Sequence, residues 1–156
     1  MYRNKKSVVV RLVALITFMV MLLPIGTSAA ASETVQPRAS LYLDTYNAYV
    51  YMAGGGEVRV YFNVQGTGYM DEIGALSIQI YECATNSSDI NDWTWRKTFT
   101  HDSTAGMLSY DDDYHSGFVT YQGVANKYYK AYVCIWGGKN GNGDTRYFWT
   151  SAKKAT

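Results

Sequence analysis

The sequence predicts an all-β domain, an antiparallel two-sheet sandwich of seven or eight short strands behind an N-terminal signal helix. Three observations predict it. Residues Glu57 to Gln65 and Tyr128 to Trp136 alternate between two distinct sets of side chains. Turn residues punctuate the chain at short intervals: Gly54-Gly55-Gly56, Gly66-Thr67-Gly68, then Gly137 to Asp144. Beyond residue 31, no segment carries the i, i+3, i+4 apolar spacing of an amphipathic helix.

The first 31 residues set the compartment. Arg3, Lys5 and Lys6 make a basic start, Leu12 to Leu23 an apolar run, and Pro24 and Gly26 break it. Small residues from Thr27 to Ala31 then offer a peptidase its cleavage site. The apolar run is shorter than the ~20 residues of a membrane span. The order predicts a cleaved signal peptide at 1–31, a secreted chain and no membrane-embedded segment in its mature form. A flexible arm at 32–40, a β-domain at 41–152 and a tail at 153–156 follow.

Removing 31 residues from 156 leaves 125, one domain with enough surface to bury a core. The signal holds four of the 14 basic residues, so ten basic face 13 acidic in the mature chain. That acidic balance, with basic residues scattered, lacks the positive stripe that a nucleic acid backbone needs. Tyrosine is the outlier: 14 of 15 lie outside the signal. Strand composition accounts for much of that excess, and a contact surface is the sharper reading.

The strands follow in order. Tyr42, Tyr46, Tyr49, Val50 and Tyr51 make one long or broken strand ending at the glycine triplet. In Glu57 to Gln65, Val58, Val60, Phe62 and Val64 face the core, while Arg59, Tyr61, Asn63 and Gln65 face water. Gly66-Thr67-Gly68 is expected to end that strand, and Tyr69 to Gly74 to make a short helical turn. Leu76, Ile78 and Ile80 open the next strand, with Gln79, Tyr81 and Cys83 on its other face. Ala84 to Asp92 reads as loop and Trp93 to Thr100 as strand. Met107 to Tyr110 and Ser116 to Gln122 read as two more short strands. Tyr129, Ala131, Val133 and Ile135 face the core, with Tyr128, Lys130, Tyr132, Cys134 and Trp136 opposite them. Gly137 to Asp144 is expected to be a flexible connection longer than a minimal turn, and Arg146 to Ser151 returns as the last strand.

Val124, then Tyr129-x-Ala131-x-Val133, a glycine-rich hairpin and a final strand resemble the end of immunoglobulin-like and fibronectin-III-like domains. In those domains a tyrosine opens the penultimate strand and bonds back across the sandwich corner, and Tyr129 matches it. The chain from 41 to 152 also resembles small secreted β-sandwich proteins of Gram-positive bacteria. It lacks the inter-sheet cysteines and core tryptophan of true immunoglobulin domains, so the resemblance implies a fold and no activity.

Three groups of residues carry chemistry. Cys83 and Cys134 are the only cysteines, and an even count in an exported chain predicts a disulfide. Parity places both on outward faces of neighbouring strands, where a bridge would cross between strands. Asp111-Asp112-Asp113 with His115, and Asn140-x-Asn142-x-Asp144, supply oxygen ligands. Their spacing fits solvated loops better than a metal cage, and no metal or cofactor is expected. No nucleophile motif, zinc motif or phosphate loop appears, so no catalytic residue is assigned.

The third group is aromatic. Tyr81, Tyr128, Tyr132 and Trp136 share one outward face, with Gln79 and Lys130 interleaved, and Trp149 or Phe148 extends it. Such a face stacks on sugars or docks a protein, and as bland alternative it stabilises the sheet through cross-strand pairs. The expected function is a non-catalytic binding or cell-surface interaction protein with an unknown protein or glycan partner. A stand-alone carbohydrate-binding module and a small secreted hydrolase are the alternatives.

Overall fold

The computed structural model describes residues 40–156. The signal segment and all but the last residue of the arm lie outside the described residues. Seven strands follow: β1 (Leu43–Gly54), β2 (Glu57–Cys83), β3 (Thr94–Thr100), β4 (Leu108–Gln122), β5 (Tyr128–Lys139), β6 (Asn142–Trp149) and β7 (Lys153–Lys154). Every pairing is antiparallel. Among the described residues no helix is long and apolar enough to cross a membrane.

Hydrogen bonds join all seven strands into one curled sheet, and β2 is what joins them. One edge of β2 pairs first with β1, along Glu57–Gly66, and then with β5, along Glu72–Cys83. The other edge pairs first with β4, up to Gly74, and then with β3. Two wings therefore share one strand: β1–β2–β4, and β3–β2–β5–β6.

The wings enclose one core. Tyr46 of β1 meets Phe148 of β6 at 5.4 Å between ring centroids, and Tyr121 of β4 meets Tyr129 of β5 at 6.1 Å. Val58, Val60, Phe62 and Val64 are buried in the same cluster as Ile78, Ile80, Tyr129, Ala131, Val133 and Ile135. These are the ten residues that period-two alternation assigns to the core. Phe148 packs on this cluster, so Trp149 alone of that pair extends the outward aromatic face.

Tyr129 ties the wings at one end. Its hydroxyl accepts from the Val124 amide at 2.7 Å and donates to a Glu82 carboxylate oxygen at 2.5 Å. Arg96 donates to the other Glu82 oxygen at 2.8 Å. Burial raises the pKa of Glu82, but the Tyr129 hydrogen bond and the Arg96 hydrogen bond and charge outweigh it, with a smaller contribution from Lys127, leaving it lowered. Burial, and then the bond to Glu82, push the Tyr129 phenol up to about 12.

Several expected boundaries move. Gly66-Thr67-Gly68 does not end the strand, and Tyr69 to Gly74 is not helical, because β2 runs through both. Gln65 pairs with Tyr114 and Met70 with Asp112, so Gly66 to Tyr69 oppose Asp113 alone. That bulge is where β2 passes from one wing to the other. Farther on, Gly74 has φ +148, and a Cβ there would lie 2.2 Å from the Met107 carbonyl oxygen. Only glycine lets β4 come close enough for that carbonyl to accept from the Ala75 amide at 2.8 Å.

The two expected strands at Met107 to Tyr110 and Ser116 to Gln122 are one strand, β4, so Asp111-Asp112-Asp113 lies in a strand instead of a loop. Residues 137 to 144 are mostly ladder. Lys139 pairs with Asn142, and Asn140 (φ 54) and Gly141 (φ 73) alone make the turn. Positive φ at both central residues is the type I′ hairpin that an Asn-Gly pair favours. Both ends of the domain are tied. Ser40 bonds the Asp144 carboxylate and accepts from the Leu43 amide. The expected tail forms β7 against Tyr128 and Tyr129, and Ala155 is buried.

Candidate binding face

The outward face of the β3–β2–β5–β6 wing is built by register. Tyr81 pairs with Trp95 on one side and Lys130 on the other. In the next row Gln79 pairs with Tyr132, and Tyr132 with Trp149. One row further, Cys134 stands between Ser77 and Tyr147. Strands lie ~4.8 Å apart, so these side chains touch.

The rings form a connected set. Trp149 lies 4.9 Å from Tyr81, edge to face, and 4.8 Å from Tyr132. Tyr132 stacks on Tyr147 at 5.9 Å. Lys130 sits between two indoles, its Nζ 4.2 Å from the Trp93 ring centroid and 4.6 Å from that of Trp149. Burial lowers its pKa, because the ammonium loses water without gaining a carboxylate. The polar ends are held locally: the Tyr81 hydroxyl donates to Gln79 at 3.0 Å, and the Trp95 indole N–H to Thr98 at 3.1 Å. The outer edge of the set is open, with Trp95 55%, Tyr147 61% and Trp149 39% exposed.

Of the aromatic residues expected on this face, Tyr81, Tyr132 and Trp149 come together, whereas Trp136 does not and Tyr128, opposite Cys83, stays outside the ring set. Trp136 has the same parity, but its ring lies along the β5–β6 hairpin, over Gly138 and Gly143. A Cβ at Gly143 would stand 2.3 Å from the ring, and one at Gly138 2.5 Å from it. The glycines make room for the indole, whose Nε1 is buried without a hydrogen-bond partner. Trp136 is therefore a packing residue of the hairpin, beside a depression of about 420 Å³ that Asp71, Glu72 and Tyr110 also line. Trp93, Trp95 and Tyr147 join the face although the spacing did not single them out. Tyr147 had a signal, since it is two residues from Trp149 and shares its parity.

The expected disulfide does not form: Cys83 and Cys134 are both free and buried. The strand adjacency behind that expectation holds, since β2 and β5 pair, but the register separates the cysteines. Cys83 is opposite Tyr128, and Cys134 is opposite Ser77. Six ladder steps separate them, about 20 Å at ~3.4 Å per residue, against a limit of ~7 Å for a bridge. Both are outward by parity yet covered. Burial raises the Cys134 pKa, and hydrogen bonds with Tyr147 and Ser77 partly oppose it. Alkylation of the unfolded chain without reductant will add two labels per molecule. A species that takes no label until reduced would contradict the register.

Acidic groups do not converge. Asp112 accepts from the Tyr114 amide and from the Ser109 hydroxyl, and these bonds lower its pKa. His115 bonds the Gly106 carbonyl at 2.9 Å. Among the described residues no group of three or more His, Cys, Asp or Glu is placed to hold a metal ion.

No family model and no curated protein matches the chain. Two solved structures share part of its trace. The sporulation control protein Spo0M of Bacillus subtilis is 12% identical at a TM-score of 0.38, over 69% of this chain and 48% of its own. A family 76 glycoside hydrolase from a bovine Bacteroides thetaiotaomicron strain is 20% identical at 0.35, over 70% of this chain and 20% of its own. The chain thus spans less than half of each protein, and at these scores neither name bears on its fold or function.

Proposed function

We propose that this chain is a secreted, non-catalytic binding protein that engages its partner through the aromatic face of the β3–β2–β5–β6 wing. One observation carries the reading. Rings from three strands, with Lys130 held between two indoles, form a contiguous and partly open surface. Aromatic side chains bring large contact area at low entropy cost, and an interleaved cation adds selectivity. The basic-apolar-small order of residues 1–31 supports export by a cleaved signal. The Tyr129 bond to the Val124 amide supports an immunoglobulin-like or fibronectin-III-like corner, in which the two wings of the curled sheet would serve as the layers of a sandwich. A stand-alone carbohydrate-binding module and a cell-surface protein ligand are both compatible with such a face.

The test uses fluorescently labelled mature chain on a glycan array and on intact bacterial and host cells. The wild type is expected to be retained on at least one surface, and Trp149→Ala and Tyr132→Ala to lose that retention. Equal retention of wild type and variants would remove this face from the function.

A further inference from the structure

The opposite wing carries a second aromatic row that no expectation from sequence included. Tyr49 of β1, Tyr61 of β2 and Phe118 of β4 are register partners across three strands. Tyr49 stacks on Tyr61 at 5.3 Å, and Tyr61 meets Phe118 at 5.1 Å. Tyr49 is 48% and Phe118 51% exposed. The next row on the same face, two residues along each strand, includes Asn63 and Ser116. The row after that includes Tyr114. A depression of about 460 Å³ lies among these side chains. It is a trough: an aromatic wall of Tyr49, Tyr61 and Phe118, a floor of Asn63 and Ser116, and Tyr114 on the far side.

The floor is polar, uncharged and unused. Among the described residues, neither the Asn63 amide nor the Ser116 hydroxyl has a side-chain hydrogen bond, whereas neighbouring Gln65 is engaged with the Asp113 carbonyl at 2.8 Å. No lining residue is charged. Arg59, whose guanidinium lies over the Phe118 ring, is bound to Glu57 at 2.6 Å. An amide and a hydroxyl both donate and accept, as sugar hydroxyls do. Ring walls pack against the C–H faces of a pyranose. A polyproline helix also docks between aromatic ridges, but here it would press apolar rings onto a polar floor.

We propose that this trough is a binding site for a neutral hexopyranose chain, separate from the face on the other wing. The two readings are distinguishable because all four tryptophans, at 93, 95, 136 and 149, belong to the other wing and its approaches. Isothermal titration of the full mature chain would use neutral hexasaccharides of glucose, mannose, galactose and N-acetylglucosamine, with a decaproline peptide alongside. At least one sugar is expected to bind with tryptophan emission unchanged. Phe118→Ala, Tyr49→Ala and Asn63→Ala are each expected to weaken it by about tenfold or more, consistent with an aromatic contact or a buried hydrogen bond lost. Trp149→Ala is expected to leave it alone. Thermal melts check folding, and Asn63→Ala keeps the test open if a ring deletion perturbs the sheet. No binding of any of the four sugars overturns the proposal. So does binding that survives the three trough substitutions, sugar binding lost in Trp149→Ala, or decaproline binding to the trough.

Discussion

Phe62→Ala will cost about 3–5 kcal/mol of folding stability, the range for deleting a fully buried phenylalanine. Phe62 is 2% exposed and sits in the single core cluster. Its cross-strand partners are Ala48 and Gly117, two small residues that leave nothing to fill the cavity. β2 also holds both wings, so loss at Phe62 affects the strand that makes four of the six pairings. Arg59→Ala, on the outward face of the same strand, will change stability far less. Denaturant melts of the two variants check the order, and a reversed order would mean that the register of β2 is wrong.

Tyr129→Phe will be the next most costly, at about 1–3 kcal/mol, because one deleted hydroxyl leaves the buried Glu82 carboxylate and the part-buried Val124 amide each short of a partner. The Val124 amide loses its acceptor, and Glu82 loses one of its donors. The same network sets an acid limit. Folding lowers the Glu82 pKa, so its contribution is complete above the ordinary glutamate range and is lost as pH falls through the folded value. Glu82→Gln will therefore flatten the acid limb of the stability–pH curve. An unchanged acid limb would show that Glu82 is not held in its charged form by Tyr129 and Arg96.

The core was legible in the sequence because one rule decides it. Val58, Val60, Phe62 and Val64 alternate without interruption, and so do Tyr129, Ala131, Val133 and Ile135, so parity alone assigns a face. What parity cannot supply is register. Cys83 and Cys134 were placed on neighbouring strands and on outward faces, but which residues stand opposite depends on where each ladder starts. The same gap separated Trp136 from Tyr132: four residues apart with equal parity, they meet different neighbours on β6. Glycine misled in both directions. Gly66 and Gly68 read as a strand end, yet they form the bulge that lets β2 change wings. The run from Gly137 to Asp144 read as flexible, yet Gly138 and Gly143 are the seat of the Trp136 ring, and only Asn140-Gly141 turns. Of the second aromatic row, parity put only Tyr61 on a water-facing side. The row's existence depended on β1 and β4 flanking β2, and the Tyr61–Phe118 partners lie 57 residues apart in sequence (118 − 61).

The central claim is that the aromatic face of the β3–β2–β5–β6 wing serves binding more than folding. The most direct measurement is Trp149→Ala, read for stability by denaturant melt and for retention on whichever surface holds the wild type. Trp149 is partly open and its contacts are cross-strand rings and Lys130, so its loss should cost about 0.5–1.5 kcal/mol, well below Phe62→Ala. Lost retention with that small destabilisation is the predicted result. Destabilisation as large as that of Phe62→Ala, with retention intact, would contradict the claim and make the face a structural one.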